Sequence, residues 1–259
     1  MNTFAMHRTT VCTVAAVAIA LTALSGCSDA PAGAAAPASP AATPAGAAAS
    51  SAAPVAGAFD PEAALAEAEK TPYAASVKFT SEAAGQEIST TTGRSNLGTL
   101  YTGRAEVRSA GGSPGAQALW METVTTADAN YVRNRAVAGG DWMKMPRSAG
   151  NNEADYAGYA KLLLAAGPSA RKGMEDQGGT PAYHLTGHLG IDQVASVDPR
   201  THRSMKAKGV TGFDIDQWID SQGRTLRFEQ RMELRGTPAA NKGTFGEFGP
   251  VETFAAPTG

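Results

Sequence analysis

Phe213-Asp214-Ile215-Asp216-Gln217-Trp218-Ile219-Asp220-Ser221-Gln222-Gly223-Arg224-Thr225 is the stretch whose reading decides the fold. Phe213, Ile215 and Ile219 alternate with Asp214, Asp216, Trp218 and Asp220, so the apolar residues share one face of a strand and the acids the other. Ser221-Gln222-Gly223 is a turn, and 225–234 is the returning arm. One face of this hairpin is buried and the other meets water, as in an antiparallel sheet.

The same period runs backwards along the chain. Ala75, Val77 and Phe79 share a face, 86–92 is rich in Thr, Ser and Ile, and 100–108 alternates again. Further strands are expected over 118–126, 131–137, Trp142-Met143-Lys144-Met145 and 182–189, with a last one through Phe245, Phe248, Val251 and Phe254. Short strands at hairpin spacing predict an antiparallel meander. Helices interrupt it. Asp60-Pro61-Glu62 has the N-cap, first-turn proline and acid of a helix start, and the helix stops before Pro72. A second helix is expected from Asn152, with Tyr156, Tyr159, Ala160 and Leu163 on one face and Gly158 and Lys161 away from it, ending at Gly167-Pro168. Residues 191–197 form a short helix and Asp198-Pro199 starts another.

The N-terminal part differs in kind. Residues 1–8 carry one positive charge, Arg8, and 11–24 are almost all apolar or small. This is the n-region and h-region of a secretory signal, too short for a spanning helix, which needs about 20 residues. It ends in Leu24-Ser25-Gly26-Cys27, which resembles the lipobox of bacterial lipoproteins. The resemblance implies that the Cys27 sulfur receives a diacylglyceryl group and that the peptide is cut before it, leaving residues 1–26 as signal peptide. The only other cysteine, Cys12, lies in the signal, so the mature chain has neither a disulfide nor a free thiol. Residues 28–58 are almost wholly Ala, Pro, Ser and Gly, with Val55 the one large apolar residue and a single charge, Asp29. They cannot bury enough surface to offset their ordering entropy. Residues 27–58 are therefore read as a lipidated, disordered tether, and residues 59–257 as one folded domain.

Charge excludes one class of partner. The chain has 22 basic and 24 acidic residues, and loss of Arg8 leaves 21 against 24. That balance is not a nucleic-acid binder's. Gly111-Gly112-Ser113-Pro114-Gly115 matches G-x-S-x-G in letters, but Pro114 lacks the N–H that an oxyanion hole needs there. His184 and His188 lie on a strand about 13 Å apart, too far to share one ion. Asp214 and Asp216 are about 6.6 Å apart on one strand face, and an exposed polar face explains them. No catalytic residue, metal ligand or cofactor is expected. Six methionines follow Cys27 (Met121, Met143, Met145, Met174, Met205 and Met232), along with Trp120, Trp142, Tyr156, Tyr159 and Trp218. Such side chains pack cores and also line adaptable apolar surfaces.

Taken with the lipobox and tether, this order of elements resembles the lipid-anchored LppX/LprAFG-type lipoproteins with a LolA-like fold. Trp142-Met143-Lys144-Met145 looks like that family's tryptophan strand, and Tyr183-His184-Leu185-Thr186-Gly187 like its central strand. Gln217-Trp218-Ile219-Asp220 with Gly223-Arg224 looks like its hairpin, and Phe248-Gly249-Pro250-Val251 like its closing strand. The resemblance implies an α+β fold: a curved antiparallel half-barrel of about 10–11 strands with a few helices on its concave side. It also implies an apolar cavity, no catalytic residues, and carriage of lipids or glycolipids by some members. Trp120, Met121, Tyr156, Tyr159 and Leu163 are the expected lining, by face and spacing. The expectation is a monomer held at the outer face of the cell membrane by Cys27. It binds a lipid or glycolipid or, alternatively, serves as a protein-binding sensor or assembly module.

Overall fold

The computed structural model of the chain describes residues 59–98, 100–109, 118–147 and 154–258. The lipobox-like segment, the tether, Gly111–Gly115 as numbered above and Asn152 lie outside them.

Eleven strands form one open antiparallel sheet. They are β1 (Tyr73–Ala83), β2 (Gln86–Leu97), β3 (Thr102–Ser109), β4 (Leu119–Thr125), β5 (Ala129–Asn134), β6 (Met143–Pro146), β7 (Arg171–Gln177), β8 (Thr180–Gly190), β9 (Gly212–Ile219), β10 (Thr225–Leu234) and β11 (Thr237–Gly249). Their spatial order is β6-β5-β4-β3-β2-β1-β11-β10-β9-β8-β7. Two meanders thus join where the first strand pairs with the last, and the half-barrel stays open between β6 and β7. Tight turns set the registers. Ala84-Gly85, Gly178-Gly179 and Arg235-Gly236 each place two successive residues at positive φ, the backbone that matches the twist of a two-residue hairpin.

Three helices, α1 (Pro61–Ala68), α2 (Tyr156–Ala165) and α3 (Pro199–Lys206), complete the fold, with 3-10 turns at Pro168–Ala170 and Gln193–Ser196. The Asp60 carboxylate accepts from the Glu62 and Ala63 amides, as its position before Pro61 predicts. Asp198 caps α3 by accepting from Thr201 N–H. The cap of α2 is Asp155, which accepts from Gly158 N–H. Gly158 is not on an outward face, as the helical spacing had placed it: a Cβ there would lie 2.6 Å from Val197 Cγ1.

The core sits on one face of one half of the sheet. Leu65, Tyr159 and Leu163 from the helices pack with Leu185 and Leu189 of β8, Phe213, Ile215 and Ile219 of β9, Phe228 of β10, Phe245 of β11 and Val77 of β1. Tyr156 joins them edge-on to Phe228 and Phe245, with ring centres 5.2 and 4.9 Å apart. The cluster lies wholly within residues 59–248, so this segment carries its own hydrophobic core. Its members come from β1 and β8–β11 but not from β3–β6. Among the described residues no helix is long and apolar enough to cross a membrane.

Candidate functional site

Pairing register carries the core face across to β2–β6. Val77 lies opposite Gly93, then Ala105, Thr123, Val132 and Met143 in turn. Beside that row run Phe79, Thr91, Val107, Met121 and Asn134 on one side and Ala75, Ser95, Gly103, Thr125, Asn130 and Met145 on the other. The helices fill this concave face over β8–β11. Over β3–β6 it is lined by small residues, threonine and methionine.

Two features single out that wing as the candidate groove. First, its side chains are small where the sheet curls. A Cβ at Gly103 would lie 2.7 Å from both Arg94 O and Ser95 Oγ, and one at Gly93 would lie 2.8 Å from Ala105 Cα. Second, its polar atoms turn into the protein. Thr123 Oγ1 donates to Ala105 O (3.3 Å), and Ser95 Oγ donates to Tyr101 Oη (3.1 Å). The central row is methyl and thioether in character, flanked by Thr91, Thr125, Asn130 and Asn134. Ala105, Met121, Thr123 and Val132 are buried in its floor, whereas Met143 at the β6 end is 53% exposed.

The residues expected to line a cavity separate. Tyr159 and Leu163 are fully buried and packed into the core, with Tyr156 against it. Here α2 fills its half of the barrel. Met121 lies in the groove. Trp120, its neighbour in the strand, necessarily faces the other way, where Arg108 and Arg135 guanidiniums lie 4.6 and 5.4 Å from its ring centre. Trp120 therefore leaves the candidate lining. Val107, Thr123, Val132, Met143 and Met145 join it; their alternation along four short strands was the available signal, and it needs the register to be read. A recess of about 280 Å³ lies between α1 and α2, lined by Glu62, Leu65, Lys161, Leu164 and Ala165.

The histidines and aspartates lie on the convex face. His184 is held by Glu175 through Nδ1 (2.7 Å) and by Asp216 through Nε2 (2.7 Å), and it stacks on Trp218 with ring centres 4.3 Å apart. Trp218 Nε1 donates to Glu175 (2.8 Å), and Arg231 pairs with both Asp216 and Glu229. Burial alone would raise the Asp216 carboxyl, but hydrogen bonds from Arg231, Thr186 and His184 outweigh it and hold it below the usual range. His188 contacts a different carboxylate, Asp214, at 2.8 Å. These groups satisfy one another and knit β7–β10 together. Among the described residues no group of three His, Cys, Asp or Glu is placed to hold a metal ion.

No family model matches the chain, and no curated protein matches it. Among solved structures it is similar to LprF from Mycobacterium bovis, at 14% identity over 77% of this chain and 97% of that one, with a TM-score of 0.47. It is also similar to the lipoprotein LppX of Mycobacterium tuberculosis, at 15% identity over 74% and 98%, with a TM-score of 0.42. A LolA superfamily protein from Nitrosomonas europaea is similar at 9% identity over 75% and 95%, with a TM-score of 0.25. LprF and LppX are of the group that the sequence resembles. At these identities the likeness is one of fold: an open antiparallel half-barrel.

Proposed function

We propose that this chain is a lipoprotein of the cell envelope, anchored through Cys27, that binds a lipid or glycolipid along the concave face of β2–β6. The observation that carries this reading is the row from Ala105 through Thr123 and Val132 to Met143, flanked by Val107, Met121 and Met145. It is an apolar row continuous with the core face but outside the core cluster, buried along its floor and open to solvent at Met143. Methionine adapts to chains of differing shape. Burial favours a lipid by about 0.8 kcal/mol per methylene, so ten buried methylenes supply about 8 kcal/mol. Association itself costs about 4–15 kcal/mol. One chain is thus held marginally, and a two-chain lipid is the class that fits. Leu24-Ser25-Gly26-Cys27 and the Ala/Pro tether would keep the domain, as a monomer, near the outer face of the membrane that supplies such lipids.

The test is the segment from Phe59 onward, exported without Cys27 and purified without detergent. Native mass spectrometry is expected to show an acyl lipid at one per domain. Met121→Asp, with circular dichroism unchanged, is expected to remove it. A folded domain that arrives empty and takes up no offered envelope lipid would sink the reading.

A second reading has its own support. The helix-covered half is filled by Tyr159, Leu163, Phe213 and Ile215, all essentially without exposure, as in a domain that works through its surface. A protein-binding sensor or assembly module would then use the same fold, and the empty domain just described is its expected outcome.

A further inference from the structure

The convex face of β3–β6 gathers several cations over aromatic rings, where the convex face of β9–β10 has Arg227 over Trp218. Arg108 and Arg135 lie over Trp120, and Arg133 lies 4.5 Å from the ring centre of Trp142. Lys144 sits 6.0 Å from the ring of Tyr131. With Arg104, this wing presents five cations against Glu106, Glu122 and Asp141. The chain as a whole is net negative, and the convex face of β9 carries Asp214 and Asp216. Arg108 pairs with Glu106 and Arg133 with Glu122, whereas Arg135 lies 4.0 Å from Glu122 and stays 42% exposed, with guanidinium N–H groups left to donate to phosphate.

Large apolar side chains reach solvent at the corner of the same wing. Val137 in the β5–β6 turn is 58% exposed, Met143 53% and Leu119 36%. Cations, indoles and bare aliphatic side chains together are what sits at the headgroup level of an anionic bilayer. Met143 lies opposite Val132, at the outer end of the groove's central row. The corner is therefore also the mouth of the groove.

We propose that the β5–β6 corner docks onto an anionic phospholipid surface. Val137 and Met143 enter the interface, Arg135 and Lys144 meet phosphates, and the groove's end opens on the bilayer. The purpose of this contact rests on the lipid-binding reading, but its test does not. The domain from Phe59 onward, lacking Cys27, is mixed with vesicles of equal parts phosphatidylglycerol and phosphatidylcholine, or of phosphatidylcholine alone.

It is expected to sediment with the anionic vesicles, to be released by salt, and to show tryptophan quenching by brominated acyl chains. Arg135→Gln should weaken binding about fivefold, and Val137→Asp, at an exposed turn, should abolish the quenching. A folded domain that ignores anionic vesicles, or one whose binding neither variant reduces, overturns the proposal. A dimer that Val137→Asp dissolves, without vesicle binding, overturns it in favour of a second copy of the chain. Co-purified lipid without docking would overturn this proposal alone. Docking with an empty groove would overturn the lipid-binding reading alone.

Discussion

Leu163→Ala probes whether α2 is a packed plug or a loose cover. Leu163 is fully buried in the core cluster, and its Cδ2 would lie 3.2 Å from a Cβ added at Gly187 of β8. The substitution deletes three carbons, worth about 2.4 kcal/mol of transfer. A residual cavity of about 40 Å³ adds about 1 kcal/mol. The expected loss is therefore about 3–4 kcal/mol. With a urea dependence of about 2 kcal/mol per molar, the midpoint falls by about 1.5–2 M. Gly187→Ala alone crowds Leu163 and should cost about 1 kcal/mol. In the Leu163→Ala background the added methyl enters vacated space, so its cost should vanish or change sign. That gives a coupling of about 1–2 kcal/mol. Urea titrations of the four proteins, followed by far-UV circular dichroism, measure it. A loss below about 1 kcal/mol for Leu163→Ala would refute the seating of α2 on β8. So would an equal cost of Gly187→Ala in both backgrounds. Lipid occupancy of the β2–β6 groove is expected to survive Leu163→Ala, because the two regions share no residue of the core cluster.

The other predictions are smaller in scope. Gly223 has φ +73° and its Cβ would collide with the Ala64 backbone, lying 2.9 Å from Leu65 Cα, so Gly223→Ala should cost about 3 kcal/mol or more by thermal melting. Asn96 accepts from Glu252 N–H and donates to Glu252 O, so Asn96→Ala should cost about 1–3 kcal/mol and expose residues 250–258 to proteolysis. Two aspartates should respond oppositely to acid. Burial raises the Asp198 carboxyl, so its ionisation opposes folding as pH rises through its folded value; Asp198→Asn keeps the cap and should gain stability at neutral pH but not in acid. Asp216 is held below its ordinary range, so it stabilises at neutral pH and that contribution fades as pH falls below about 4; Asp216→Asn should be the weaker protein only above that point. Urea midpoints across pH distinguish the pair.

Local signals were legible in the sequence where local chemistry decides the structure. The caps at Asp60 and Asp198 and the hairpin of β9 and β10 are set by neighbours within a few residues. β7 is not legible: Arg171–Gln177 is an edge strand with no buried side chain, so no burial imprints a period on it. The start of β11 was missed because Thr237-Pro238-Ala239-Ala240 carries no large apolar residue, and Val251 and Phe254 lie beyond the strand's end. His184 reads as part of a solvent-facing row, yet its side chain is only 14% exposed, because Trp218 from the neighbouring strand covers it. The candidate site suffers most from this limit. Whether Trp120 or Met121 faces the groove depends on pairing with β3 and β5, which no local pattern fixes.

The two halves of the concave face solve one problem in opposite ways. A single curved sheet exposes apolar surface on its inner side, and that surface must be covered by something. Over β8–β11 the chain supplies the cover itself, in the aromatic and leucine side chains of α1 and α2. Over β2–β6 it supplies instead a floor too small to fill the curve. Gly93, Gly103 and Ala105 permit close backbone approach, and Ser95 and Thr123 spend their hydroxyls on the protein. Bulkier residues there would clash with neighbouring strands or complete a second core. Small ones allow that curve, along a row that is buried until it ends at exposed Met143. On the proposed lipid-binding reading, a bound acyl chain would supply the bulk that the low content of large aliphatics leaves out of this wing.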